Sequence, residues 1–106
     1  AIAREEIFGP VVSVLGWTDE DEALSIANEL PVGLTANIWT NDVGTALRFG
    51  RAVQAGYVWV NGQGQRPLGA PFGGYKLSGI GNENSLDELL SFTQTKNLSI
   101  NAAVRS

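Results

Sequence analysis

LTANIWTNDVGTALRFGRAVQAGYVWVN, residues 34–61, decides the fold. Leu34 to Thr40 reads as a strand. Asn41 or Asp42 can cap a following helix, because a short side-chain oxygen there accepts from the unpaired N–H groups of the first turn. Val43, Ala46, Leu47, Gly50 and Val53 recur at helical spacing and are expected to form its buried stripe. Gly56 falls where a left-handed C-terminal cap is expected. Tyr57 to Asn61 is a second strand, aromatic and β-branched. Strand, helix and strand joined this closely imply parallel strands linked by a right-handed crossover.

Upstream, Pro10 keeps Gly9 out of an easy helical conformation, so Glu5 to Pro10 turns into a strand. Val11 to Trp17 is expected to be that strand, mostly buried. Thr18 can cap a helix with Asp19 to Glu22 against its positive end and Ala23, Leu24, Ala27 and Leu30 on one face. Pro31 and Gly33 stop it. Downstream, Ser85 and Glu88 have capping-box spacing for a short helix to about Phe92. A last strand, Thr93 to Ile100, has no obvious neighbour in this chain. The fold class is therefore α/β: a partial parallel sheet in the order β-α-β-α-β, a long glycine-rich loop, a short helix and a terminal strand.

That loop, Gly62 to Glu83, carries seven of the chain's 13 glycines and two of its 4 prolines. Structureless loops beyond about 12–15 residues are uncommon in compact domains and usually functional or disordered. Leu68, Phe72, Tyr75, Leu77 and Ile80 are too apolar for a solvated linker. In open α/β sheets ligands bind beyond the carboxyl ends of the strands, and the loop leaves from such an end. It reads as a packed loop lining a site. It is not a phosphate cradle: Gly79-Ile80-Gly81 lacks the GxGxxG pattern, and Gly74-Tyr75-Lys76 lacks the spacing of a P-loop.

Composition excludes several chemistries. With no cysteine and no histidine there is no disulfide, thiolate nucleophile, Ser-His-Asp triad or ordinary zinc site, and no metal site is expected. A net charge of −4 with scattered basic residues argues against nucleic acid. No apolar run reaches the roughly 20 residues of a membrane helix, so a soluble, cytoplasmic chain is expected. Without methionine, Ala1 is not an initiator; the chain is expected to be cut from a longer one, with Ala1-Ile2-Ala3 in mid-segment. At 106 residues one modest core is expected.

Glu5-Glu6-Ile7-Phe8-Gly9-Pro10-Val11, Gly33 to Thr40, Gly56 to Asn61 and Pro71 to Gly79 together resemble the aldehyde dehydrogenase superfamily. The motifs occur in the family's order, and the resemblance covers essentially all of the chain, matching the C-terminal end of such an enzyme. It implies residues 1–92 as the last part of the catalytic domain and 93–106 as an oligomerisation strand and tail. It also implies roles. Glu6 would hold the hydroxyls of the nicotinamide ribose, and Phe8 would pack beside that ribose. Phe72 would line the aldehyde tunnel, with Gly64, Gln65 and Arg66 contributing just before it. For Arg66 two readings stand, recognition of an anionic substrate end and a solvent-facing position. For Glu83 they are a proton path behind the general base and a plain place near the third helix.

The family reaction needs a cysteine thiolate, a glutamate base and NAD or NADP. This chain has no cysteine, so it carries no catalytic residue of its own. Alone it is expected to be inactive and to bind neither cofactor tightly, since most contacts would lie elsewhere. Sheet edges are expected to pair with another copy or with parent-like subunits. The alternative is a free-standing, non-catalytic module for self-association or subunit binding.

Overall fold

The computed structural model describes residues 2–101. Three helices, α1 (Glu20–Asn28), α2 (Val43–Ala52) and α3 (Leu86–Ser91), and four short strands, β1 (Val32–Gly33), β2 (Thr35–Ile38), β3 (Tyr57–Val60) and β4 (Tyr75–Lys76), follow in the order α1-β1-β2-α2-β3-β4-α3, with β1 and β4 paired antiparallel. The central unit is as the sequence implies. β2 and β3 are parallel, with Thr35 opposite Tyr57 and Ile38 opposite Val60, and α2 connects them. Asn61, in the left-handed region at φ 53°, continues the pairing with its side chain: Oδ1 accepts from Thr40 N–H at 2.9 Å and Nδ2 donates to the Thr40 carbonyl at 2.8 Å. The amide thus imitates one more rung of the ladder.

The helices begin on side-chain caps. Asp42 accepts from Thr45 N–H at 2.7 Å and Gly44 N–H at 3.3 Å. Asp19, not Thr18, caps α1, accepting from Glu22 N–H at 2.9 Å, while Thr18 instead donates its own N–H and hydroxyl to the Glu22 carboxylate. Ser85 caps α3, and Glu88 reaches back to Asn84 N–H at 2.7 Å. Hydrogen bonds from Arg48 and Thr45 hold Glu20 below its usual range, two from Thr18 do so for Glu22, and those from Thr45 and Gly44 do so for Asp42. Arg48 binds Glu20 through Nη2 at 2.8 Å and so links α1 to α2. At the other end, Asn28 accepts from Gln54 N–H at 2.7 Å and donates to the Ala52 carbonyl at 3.0 Å.

Several expectations fail for one reason, a lack of neighbours. Val11 to Trp17 is neither paired nor buried: Val12 and Val14 are 84% and 89% exposed. Val43 and Leu47 of the expected α2 stripe are exposed too. Residues 94–101 join no strand, as befits a segment with no partner in this chain, while 102–106 lie outside the described residues. Ile2–Arg4 turns instead of extending, and Ala1 is outside the description. Among the described residues only Ala55 is buried, so the expected modest core does not close. The accessible surface of 8951 Å² far exceeds the roughly 5,700 Å² of a compact protein of this mass. The radius of gyration, 21.1 Å, compares with about 13 Å for a compact chain of similar length.

Gly56 also departs from expectation. It is absent from the positive-φ positions, and Val53, extended, closes α2. A Cβ on Gly56 would instead overlap the Gly73 carbonyl. The glycine is required by the approach of the long loop to the sheet.

Candidate functional site

The loop from Gly62 to Glu83 is held against β3 by aromatic side chains. Tyr57 and Trp59 are two apart, so they stand on one face of the strand, their ring centroids 4.8 Å apart. The Phe72 ring packs on Tyr57 at 5.7 Å. Trp59 Nε1 donates to the Gln65 carbonyl at 2.7 Å; Tyr57 Oη reaches the same oxygen at 3.5 Å, too long to add much. Next in the chain, Arg66 sits over the Phe72 ring with its guanidinium carbon 4.5 Å from the centroid, within cation–π range. Gly64, at φ 78°, takes the left-handed turn leading into Gln65. Gln65, Arg66 and Phe72 are therefore gathered at one place, with Gly64 at its edge.

The far side of the loop closes on itself. Phe72 and Glu83 exchange backbone hydrogen bonds at 2.9 and 2.7 Å. Asn84, at φ 62°, donates from Nδ2 to the carbonyls of Pro67 and Ala70, at 2.9 and 3.3 Å, and accepts through its own carbonyl from Gly69 N–H at 3.0 Å. Glu83 lines an open cavity of about 490 Å³ with Phe72, Gly74, Ile80 and Phe92. It also lines a smaller one of about 350 Å³ with Arg66, Asn84 and Glu88.

Glu6 and Phe8 are not brought to this cluster. Glu6 borders a second cavity of about 490 Å³ with Leu34, Ala36, Ala55 and Ser78, whereas Phe8 is 92% exposed. Arg4 and Glu29, both exposed, form an ion pair that ties this segment to the end of α1. Leu34 and Ser78 line both of the 490 Å³ cavities, so these two residues lie between them. Ser78 Oγ accepts from Gly33 N–H at 2.8 Å. Lys76 Nζ donates to the Asn28 and Leu30 carbonyls at 2.7 and 2.8 Å, satisfying acceptors at the end of α1. Among the described residues no acidic cluster is placed to hold a metal ion, and no helix is long and apolar enough to cross a membrane.

The model of the aldehyde dehydrogenase family matches residues 1–98. The chain belongs to the aldehyde dehydrogenase family. It is 56% identical over 97 residues to acetaldehyde dehydrogenase 2 of Cupriavidus necator, covering 92% of this chain and 19% of that protein. It is 53% identical over 102 residues to an EPTC-inducible aldehyde dehydrogenase of Rhodococcus erythropolis, covering 96% and 20%. Among solved structures, betaine aldehyde dehydrogenase of Staphylococcus aureus in complex with NAD+ superposes with a TM-score of 0.82 at 41% identity, over 86% of this chain and 18% of that one. An indole-3-acetaldehyde dehydrogenase of P. syringae, with NAD+ and IAA, gives 0.77 at 50% identity, over 80% and 17%. The chain spans about a fifth of the length of the curated relatives it matches.

Sequence reading of this aldehyde dehydrogenase segment did not single out Trp59, Asn28 or Asn84 as fasteners of the site wall. Trp59 offered one signal, since a packed indole N–H requires an acceptor. The asparagines offered little, because their partners lie 24 and 17 residues away.

Proposed function

We propose that this chain is the C-terminal part of an NAD(P)-dependent aldehyde dehydrogenase, converting an aldehyde to a carboxylic acid, and that it supplies one wall of the substrate tunnel. The observation carrying the reading is the fastening of Gln65, Arg66 and Phe72 onto Tyr57 and Trp59 in a chain of this family. An apolar ring beside a glycine-shaped backbone suits passage of an aldehyde. In this reading Glu83 lies on a proton path and the segment from residue 93 onward joins neighbouring subunits.

Glu6 is proposed to hold the nicotinamide ribose, with Phe8 beside it. A carboxylate only accepts hydrogen bonds, and at the edge of an open cavity it matches the donor chemistry of two ribose hydroxyls. When bound, NAD supplies the hydride acceptor. The solved neighbours in complex with NAD+ favour NAD as the cofactor. The sequence has no cysteine, so the attacking thiolate must come from outside these 106 residues, and the chain alone is proposed to be inactive. Aldehyde-dependent reduction of NAD+ and NADP+ by the full-length enzyme and by the isolated chain tests this. Turnover is expected from the first and none from the second; turnover by the isolated chain would overturn the missing-nucleophile account, and none by the intact protein would overturn the assignment.

A second reading, a self-associating module without catalysis, is favoured by the exposure of Val12, Val14, Phe92, Leu98 and Ile100. It predicts assembly of the isolated chain with no dependence on other enzyme segments.

A further inference from the structure

Arg66 is exposed, and among the described residues its one side-chain contact given is the ring of Phe72. Phe72 lies beneath its guanidinium, Tyr57 supports Phe72 from the side, and Trp59 holds the carbonyl of the preceding residue. Of the described arginines, Arg4 and Arg48 have carboxylate partners, while Arg51 and Arg66 have none within 4.0 Å among the described residues; what sets Arg66 apart is its place over the Phe72 ring beside a cavity. Arg66, a residue with five N–H donors, lines the 350 Å³ cavity with Glu83, Asn84 and Glu88. The Glu88 carboxylate is engaged by Asn84 N–H.

We propose that Arg66 is a specificity-determining residue that selects aldehydes bearing a carboxylate at the end remote from the reacting carbon. The proposal rests on reading the Gly62–Glu83 loop as a tunnel wall. A guanidinium fork matches a carboxylate with two parallel hydrogen bonds, and stacking on Phe72 restricts its rotamers before substrate arrives. Glu83 and Glu88 oppose an anion from farther away, where water and salt screen them more than a direct contact. They also make the sign of the charge the decisive variable. With Arg66 gone, the lining would be acidic and would favour a cation.

The test compares kcat/KM of the full-length enzyme for three aldehydes of matched length, ending in a carboxylate, a methyl group and a trimethylammonium group. Arg66→Gln is expected to lower the value for the carboxylate aldehyde about tenfold or more relative to the methyl aldehyde, and to raise that for the trimethylammonium aldehyde relative to it. Arg66→Lys is expected to retain part of the preference for the anion, because it keeps the charge but not the fork. A common loss for all three substrates would mark Arg66 as merely structural and overturn the proposal, as would no change in their ratios. If the folded wild-type enzyme oxidises none of them, the tunnel-wall reading falls together with the proposal; if it oxidises them without dependence on Arg66, the proposal alone falls.

Discussion

Trp59 holds Gln65 by a single hydrogen bond, 2.7 Å from indole Nε1 to the main-chain carbonyl. That bond links the most regular part of the molecule, the parallel pair of strands, to its least regular part. Trp59→Phe keeps an aromatic ring against Tyr57 but removes the donor. The expected cost is about 1 kcal/mol, concentrated in the loop. Amide hydrogen exchange across residues 62–72 should accelerate while β2 and β3 exchange as before. Unchanged loop protection would show that the aromatic packing suffices without the bond.

Two glycines should respond oppositely to alanine. At Gly56 a Cβ would overlap the Gly73 carbonyl, whereas at Gly50 nothing lies within 4 Å. Gly56→Ala should destabilise by roughly 1–3 kcal/mol through overpacking of backbone on backbone. Gly50→Ala, inside α2, should stabilise by about 0.5–1 kcal/mol. Thermal unfolding of both variants decides the matter, and a tolerated Gly56→Ala would mean that the loop does not approach β3 so closely.

The helix starts should weaken in acid. Glu20, Glu22 and Asp42 all titrate below their ordinary values, through Arg48 and Thr45, Thr18, and Thr45 with Gly44 respectively. A carboxylate with a lowered folded-state pKa contributes stability that is complete above its unfolded value and is lost as pH falls through the folded one. Helical circular dichroism should therefore hold steady at neutral pH and decline below about pH 4. Glu22 and Asp42 are exposed and Glu20 partly so, so added salt should reduce the effect of the Arg48–Glu20 pair. Asp42→Asn retains a capping oxygen and should flatten part of the acid transition; an unchanged profile would remove Asp42 from it.

Glu6→Gln in the full-length enzyme should weaken NAD binding and slow hydride transfer, because an amide replaces one strong acceptor oxygen by a donor. A loss of several-fold or more in affinity is expected from a hydrogen bond to a charged group. Cofactor titration and single-turnover kinetics read the two effects separately. If both match the wild type, Glu6 does not hold the ribose.

The isolated chain should self-associate at micromolar concentration. Its unpaired backbone at residues 11–17 and 94–101, with exposed Val12, Val14, Leu98 and Ile100, offers edges for pairing. Light scattering over a dilution series measures this, and a single monomeric species throughout would count against it.

The parallel unit from Leu34 to Asn61 was legible because its cues are local: a capping aspartate, a helix of ordinary length and two strands rich in branched and aromatic residues. The packing of the long loop was legible only in part: Phe72 does pack on Tyr57, but Leu68, Tyr75, Leu77 and Ile80, expected to be packed, stand exposed for want of neighbours. Exposure was misread in the same places where partners are missing. Val11 to Trp17 has the composition of a buried strand, yet composition cannot supply a neighbour, and the segment runs unpaired across the surface.

The sequence by itself determined the family, the cap of α3, the parallel strands and the absence of a thiolate, because each depends on residue identity or short-range spacing, whereas Asp19 rather than Thr18 caps α1. Only the tertiary structure decided how the site wall is assembled: Arg66 seated on Phe72, Trp59 holding Gln65, Asn84 closing the loop and Gly56 admitting it to the sheet. These are contacts between segments, set by the direction in which each strand end and turn aims its groups. Residue order alone carries little of that geometry until the chain has folded back on itself.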